Sequence, residues 1–166
     1  KDLEDLYPVY SAAMRNKGTP TPGIGFFRNV LSHFPDRFSV MTVRYKKQVL
    51  GGGFVGTHGS TVYQTWGGML RPYYDLSPNY ILYWGTIKYA CKAEYRWLDL
   101  GRSAWGSGTY RFKKHWGPEP RSLYQQFYLN SVDRPPPVGN EMGKEAKYRI
   151  LVSIWQRLPM PVIEAL

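Results

Sequence analysis

Residues 37–70 read RFSVMTVRYKKQVLGGGFVGTHGSTVYQTWGGML, and the fold turns on this stretch. It alternates in character and is rich in β-branched and aromatic residues, with breaks at Lys46-Lys47 and His58-Gly59. The pattern predicts three antiparallel strands, over about 37–45, 48–57 and 60–69. Gly51, Gly52 and Gly53 fall inside the second strand rather than between a strand and a helix. They predict a bulge or a close backbone approach, not a phosphate loop.

Upstream, DLEDLYPVYSAAMRNKGTPTPG predicts a helix capped by Asp5, with Pro8 in its first turn. Leu6, Tyr10, Ala13 and Met14 share one face, and Gly18 with Pro20 stops it. GIGFFRNVLSHFP predicts a shorter helix presenting Phe27, Val30, Leu31 and Phe34. Downstream, SPNYILYWGTIKYACKAEY is the clearest helix, with Ser77 at the N-cap and Pro78 in the first helical position. Its expected buried stripe is Tyr80, Trp84, Ile87 and Cys91. YRWLDLG predicts a short strand, SGTYRFKKHW a helix capped by Ser107 and ending at Gly117-Pro118, and RSLYQQFYL a last strand. NSVDRPPPVGN is an extended linker. KEAKYRILVSIWQRLP is an amphipathic helix that must dock through Ile150, Ile154 and Trp155. The order implies an α/β fold, a mixed and mainly antiparallel sheet flanked by helices. Residues 1–130 form the expected domain, 131–143 a linker, and 144–166 a docking helix of the same domain.

The chain has 166 residues, 43% hydrophobic and 16% aromatic, enough for a real core and incompatible with a disordered tail. Lys and Arg number 22 against 12 Asp and Glu, a formal charge of +10 that favours anionic partners or is generic surface charge. With one cysteine, Cys91, and only His33, His58 and His115, neither an internal disulfide nor a thiolate metal site is expected. Cys91 reads as a small core residue. No apolar run approaches the ~18 residues that span a bilayer, and a cytoplasmic location is expected. The chain opens on Lys rather than Met, as expected of an excerpt or a processed product.

The densest chemistry is LDLGRSAWGSGTYRFKKHWGPEP, residues 98–120, where basic groups are set between aromatic rings. Arg102, just after a strand end, can grip phosphate or carboxylate with two parallel bonds. Tyr110 and Trp116 can stack on a base or sugar, although Trp116 and Phe112 also suit a core. Lys113 and Lys114 are either a binding pair or the solvated face of a short helix. Asp99 is either a general base or the ion-pair partner of Arg102.

The order of elements resembles the GNAT acyltransferase fold. More narrowly, RNKGTP, SPNYILYWGTIKYA, WLDLGRS, GTYRFKKHWG and KYRILVSIWQRLP resemble FemAB-related proteins associated with PEP-CTERM/exosortase exopolysaccharide systems, over about Tyr7 to Pro161. The resemblance implies the C-terminal half of an aminoacyl or acyl transferase acting on an amine in cell-envelope or exopolysaccharide biosynthesis. It also implies a second GNAT-like half upstream, an aminoacyl-tRNA or other acyl donor, and an anionic nucleotide- or lipid-linked acceptor. Lys113 matches the lysine of the family's "FK" signature. On this reading Lys113, Asp99 and Tyr110 are the candidate catalytic residues, and Arg102, Ser103, Arg111, Lys114 and Trp116 bind substrate. CoA-using GNAT enzymes carry a glycine-rich loop before the central helix; here that place reads LRPYYDLSPNYIL, without glycine. No cofactor is therefore expected. A CoA-dependent N-acyltransferase with a diverged loop, and a non-catalytic basic module for tRNA or an acidic polymer, are the alternatives.

Overall fold

A computed structural model describes residues 1–131, 133–135 and 146–165. They fall into two compact units, Lys1–Asp99 with Val152–Leu166, and Leu100–Leu151.

In the first unit, β1 (Phe38–Tyr45), β2 (Gln48–His58) and β3 (Thr61–Met69) form the expected antiparallel meander. Each hairpin closes in two residues, and the first of each, Lys46 (φ 54°) and Gly59 (φ 54°), takes the left-handed conformation such turns require. The ladder shifts register at Val43/Arg44 and again at Gly53/Val55, so the glycine run does carry a bulge. After β3, a 3-10 turn (Arg71–Leu76) and α3 (Pro78–Lys92) lead to β4 (Trp97–Asp99), which pairs parallel to β3. The sheet order is β1-β2-β3-β4, a mixed sheet within an α/β fold.

Two helices cover one face. α1 (Asp2–Lys17) starts earlier than its sequence suggests, because Asp2, Glu4 and Asp5 all suit the positive N-terminal end of a helix. Asp5 therefore does not cap it, and Pro8 lies within the helix rather than in its first turn. Gly18 (φ 71°) ends it, with Gly18 N–H on the Arg15 carbonyl and Thr19 N–H on that of Met14. α2 (Ile24–His33) buries Phe27, which stacks on Phe54 at 4.4 Å and meets Tyr10 and Trp66 edge-on. Phe34 lies just past α2 and is 53% exposed, not core as its position implied. The buried stripe of α3, on the opposite face, is Pro78, Leu82, Thr86 and Ala90. Tyr80, Trp84 and Cys91, expected inside, are exposed. Ser77 is the N-cap residue, but with φ 52° its side chain makes no capping bond.

Asp5 has instead become an ion-pair partner. Arg44 of β1 donates to its carboxylate and holds its pKa below the ordinary value. A depressed carboxylate contributes stability that is present above the unfolded pKa and is lost as pH falls through the folded one. Asp5→Asn is accordingly expected to flatten the fall of the thermal midpoint on the acid side, below about pH 4. Melting curves in an acid titration would show this.

The C-terminal segment returns to α1. A Cβ on Gly18 would overlap Val152, Gln156 Nε2 donates to the Asn16 carbonyl at 3.0 Å, and Ile163 of α6 (Met160–Ala165) is fully buried. α5 (Ala146–Arg157) thus docks through Val152, while Ile150 and Ile154, its expected anchors, are 60% and 54% exposed. Trp155 is half-buried.

The second unit holds α4 (Gly108–Lys114), with Ser107 Oγ accepting from Tyr110 N–H at 3.1 Å, the predicted cap. Residues 121–129 do not form the expected strand. Alternation alone cannot make one; a strand needs a hydrogen-bonded neighbour. Here Leu123 is 73% and Tyr124 90% exposed. The expected linker lies mostly outside the described residues.

Candidate active site

Two places concentrate chemistry, and each is built by local structure. The first is the parting of β3 from β4. β4 pairs only with Thr61, Val62 and Tyr63, while β3 runs on to Met69. Among the described residues, then, the β4 side of β3 beyond Tyr63 is an edge, able to pair with an extended amide-bearing ligand. Asp99 is the partner of Tyr63 and so stands at the fork. Gln64 is the first residue past it, and its Oε1 is buried without a hydrogen-bond partner. Sequence reading missed this fork. Its trace was the mismatch between a ten-residue third strand and the short WLD segment.

The N-terminus of α3 follows the same end of β3. A diphosphate there needs convergent backbone N–H groups. Pro78 has none, Ser77 N–H is bound to the Tyr74 carbonyl at 2.9 Å, and Tyr80 N–H to the Ser77 carbonyl at 3.0 Å. Pro78, Ser77 and Tyr80 thus leave no N–H of their own for the pyrophosphate of CoA. Further along α3, burial raises the Tyr83 hydroxyl above its ordinary pKa, keeping it protonated.

The second place is the Gly101-Arg102-Ser103 turn with α4. Gly101 and Gly106 both have φ 71°, which lets the chain fold back sharply. Lys113 Nζ donates to the carbonyls of Gly101 and Arg102, each at 3.0 Å. Ser103 Oγ donates to the Arg102 carbonyl at 2.9 Å. Lys113, Arg102 and Ser103 are thus brought together at one turn. The Tyr110 ring lies 4.6 Å from that of Trp105, a pairing the sequence did not suggest. Arg111 and Lys114 are exposed, and Phe112 and Trp116 are half-buried. Asp99 lies in the first unit, and the other candidates lie in the second.

Among the described residues no cluster of three His, Cys, Asp or Glu could hold a metal, and no helix is long and apolar enough to cross a membrane.

Comparison with known proteins agrees with this architecture. A solved structure, the tetramutant of the BH1408 protein from Bacillus halodurans, superposes with a TM-score of 0.58 at 12% identity. The match covers 76% of this chain and 96% of that one, and at this identity it shows the fold alone. No curated protein matches the sequence. The family model described as an acetyltransferase (GNAT) domain matches residues 1–114, from α1 through the sheet and the basic turn to the last residue of α4. The chain belongs to the GNAT acetyltransferase domain family.

Proposed function

We propose that this chain serves a FemAB-like transferase that moves an aminoacyl or acyl group from a donor other than CoA to an amine, in the cytoplasm, for cell-envelope or exopolysaccharide synthesis. The acceptor nitrogen attacks the ester carbonyl, a C–N bond forms, the C–O bond to the donor breaks, and the amine's proton is lost to a base. The base assigned is Asp99. Lys113 offers positive charge to the developing oxyanion and a proton to the leaving hydroxyl. Tyr110 is assigned a supporting catalytic role beside it. Arg102 and Ser103 hold an anionic part of the substrate, with Arg111, Lys114 and Trp116 extending that surface. Aminoacyl-tRNA suits such a basic surface, and a second GNAT-like half is the expected partner.

One observation carries the choice of donor: at the α3 N-terminus, where a GNAT enzyme would cradle pyrophosphate, Pro78 has no N–H and those of Ser77 and Tyr80 are already bonded. Titration calorimetry with acetyl-CoA is expected to show no saturation below about 1 mM. Low-micromolar binding would overturn the proposal in favour of ordinary CoA-dependent N-acyl transfer.

A further inference from the structure

We propose that a hollow over Gly56, remote in role from the transfer residues, is a binding site for a planar ring that carries an anionic group. It has a volume of about 340 Å³, within the range of small-molecule sites, and it lies where the α2–β1 connection meets β2 and β3. Its floor is aromatic. Phe38 lies against Gly56, where an added Cβ would come within 2.9 Å of the ring, so the glycine lets the ring sink onto the sheet. Phe38 in turn contacts Trp66 at 6.2 Å, tying the floor to the core. Phe34 stands beside it at 6.3 Å, tilted by 58°, and presents more than half its surface to solvent.

The rim supplies the charge. Arg37 lines the hollow, and among the described residues no carboxylate pairs with it, whereas Arg28 and Arg44 are both neutralised by acids of α1. His58, Tyr63 and Thr65 offer further polar atoms around the same opening. The wall is held in place before any ligand arrives. Arg37 and Phe38 N–H groups both donate to the Phe34 carbonyl, at 3.0 and 2.9 Å, and Thr57 N–H donates to the Arg37 carbonyl at 2.8 Å. A fixed apolar floor with one unpaired guanidinium at its edge selects for a ring with a phosphate or carboxylate attached, and little order need be imposed on binding.

Uridine 5′-monophosphate and 2-naphthoate carry this chemistry from two sources, and the tighter of them by calorimetry tells which source the site prefers. Saturable binding is expected for at least one, with uridine and inorganic phosphate alone at least about tenfold weaker. Arg37→Gln and Phe34→Ala change exposed side chains, so both should fold with a wild-type midpoint. Each is expected to weaken the probe about tenfold or more, while Arg111→Gln on α4 leaves it unchanged. The proposal is overturned if neither probe saturates by about 5 mM, or if binding survives both substitutions.

Discussion

Lys113→Met in the intact transferase is expected to lower turnover by about 10²-fold or more, with KM for the acceptor little changed, because the group lost acts on charge that develops only in the transition state. Methionine approximates the length of the lysine but carries no donor. The two bonds from Nζ to the Gly101 and Arg102 carbonyls make a competing account available, in which Lys113 only clamps the turn. The accounts differ in what else they move. Both bonds are solvent-exposed, so water can replace them, and the loss of stability should stay within about 1 kcal/mol. Lys113→Arg keeps the charge and can satisfy the same carbonyls, so a clamp alone would be fully restored by it. A catalytic ammonium would not, since arginine neither places a point charge in the same spot nor gives up a proton. Single-turnover rates and thermal midpoints for the two variants decide the matter. Near-normal transfer by Lys113→Met would reduce the aromatic–basic block to a solvated helix.

The sheet was legible because its signals are local. Alternation located β1 to β3 to within a residue or so, the two breaks in the pattern became two-residue turns, and three glycines inside a strand became a bulge. The cap on α4 is equally local, with Ser107 binding an N–H three residues on. The face of α3 was not legible, and the reason lies on the sheet. Gly53 and Gly67 leave a flat surface there, with Leu82 Cδ2 only 3.3 Å from where a Gly53 Cβ would stand. Thr86 and Ala90 suit so close an approach, and Thr86 bonds its hydroxyl back to the Leu82 carbonyl at 2.9 Å, so its burial leaves no orphan group. The larger Tyr80 and Trp84 are turned outward, against the rule that places aromatics inside. In the basic block, residue types and caps could be read directly. That the Lys113 ammonium reaches back eleven and twelve residues to a turn, and that β3 outruns β4, follow from tertiary pairing that no local pattern encodes.

The same close approach on the other face predicts the largest loss of stability. Gly52→Ala is expected to cost about 3 kcal/mol or more and to lower the thermal midpoint by about 10 °C. The added methyl would overlap the Met41 carbonyl oxygen and come within 2.9 Å of Leu6 Cδ1. Leu6 can swing aside; the carbonyl cannot. It belongs to β1, whose ladder with β2 sets Met41 opposite Gly53 and Thr42 opposite Gly52. Making room for one methyl therefore means parting β1 from β2, the strands on which α1 packs Leu6, Tyr7 and Tyr10 of the core. Gly85→Ala is the matched control, since Gly85 lies inside α3 with nothing within 4 Å of its added Cβ. There the methyl meets no obstacle and the helix gains up to about 1 kcal/mol from the lower entropy of its unfolded chain. Opposite shifts from two chemically identical substitutions would locate the effect in the packing of Gly52 against β1 rather than in glycine as such. An unchanged midpoint for Gly52→Ala would mean that β1 and β2 stand farther apart at Met41 than these contacts allow.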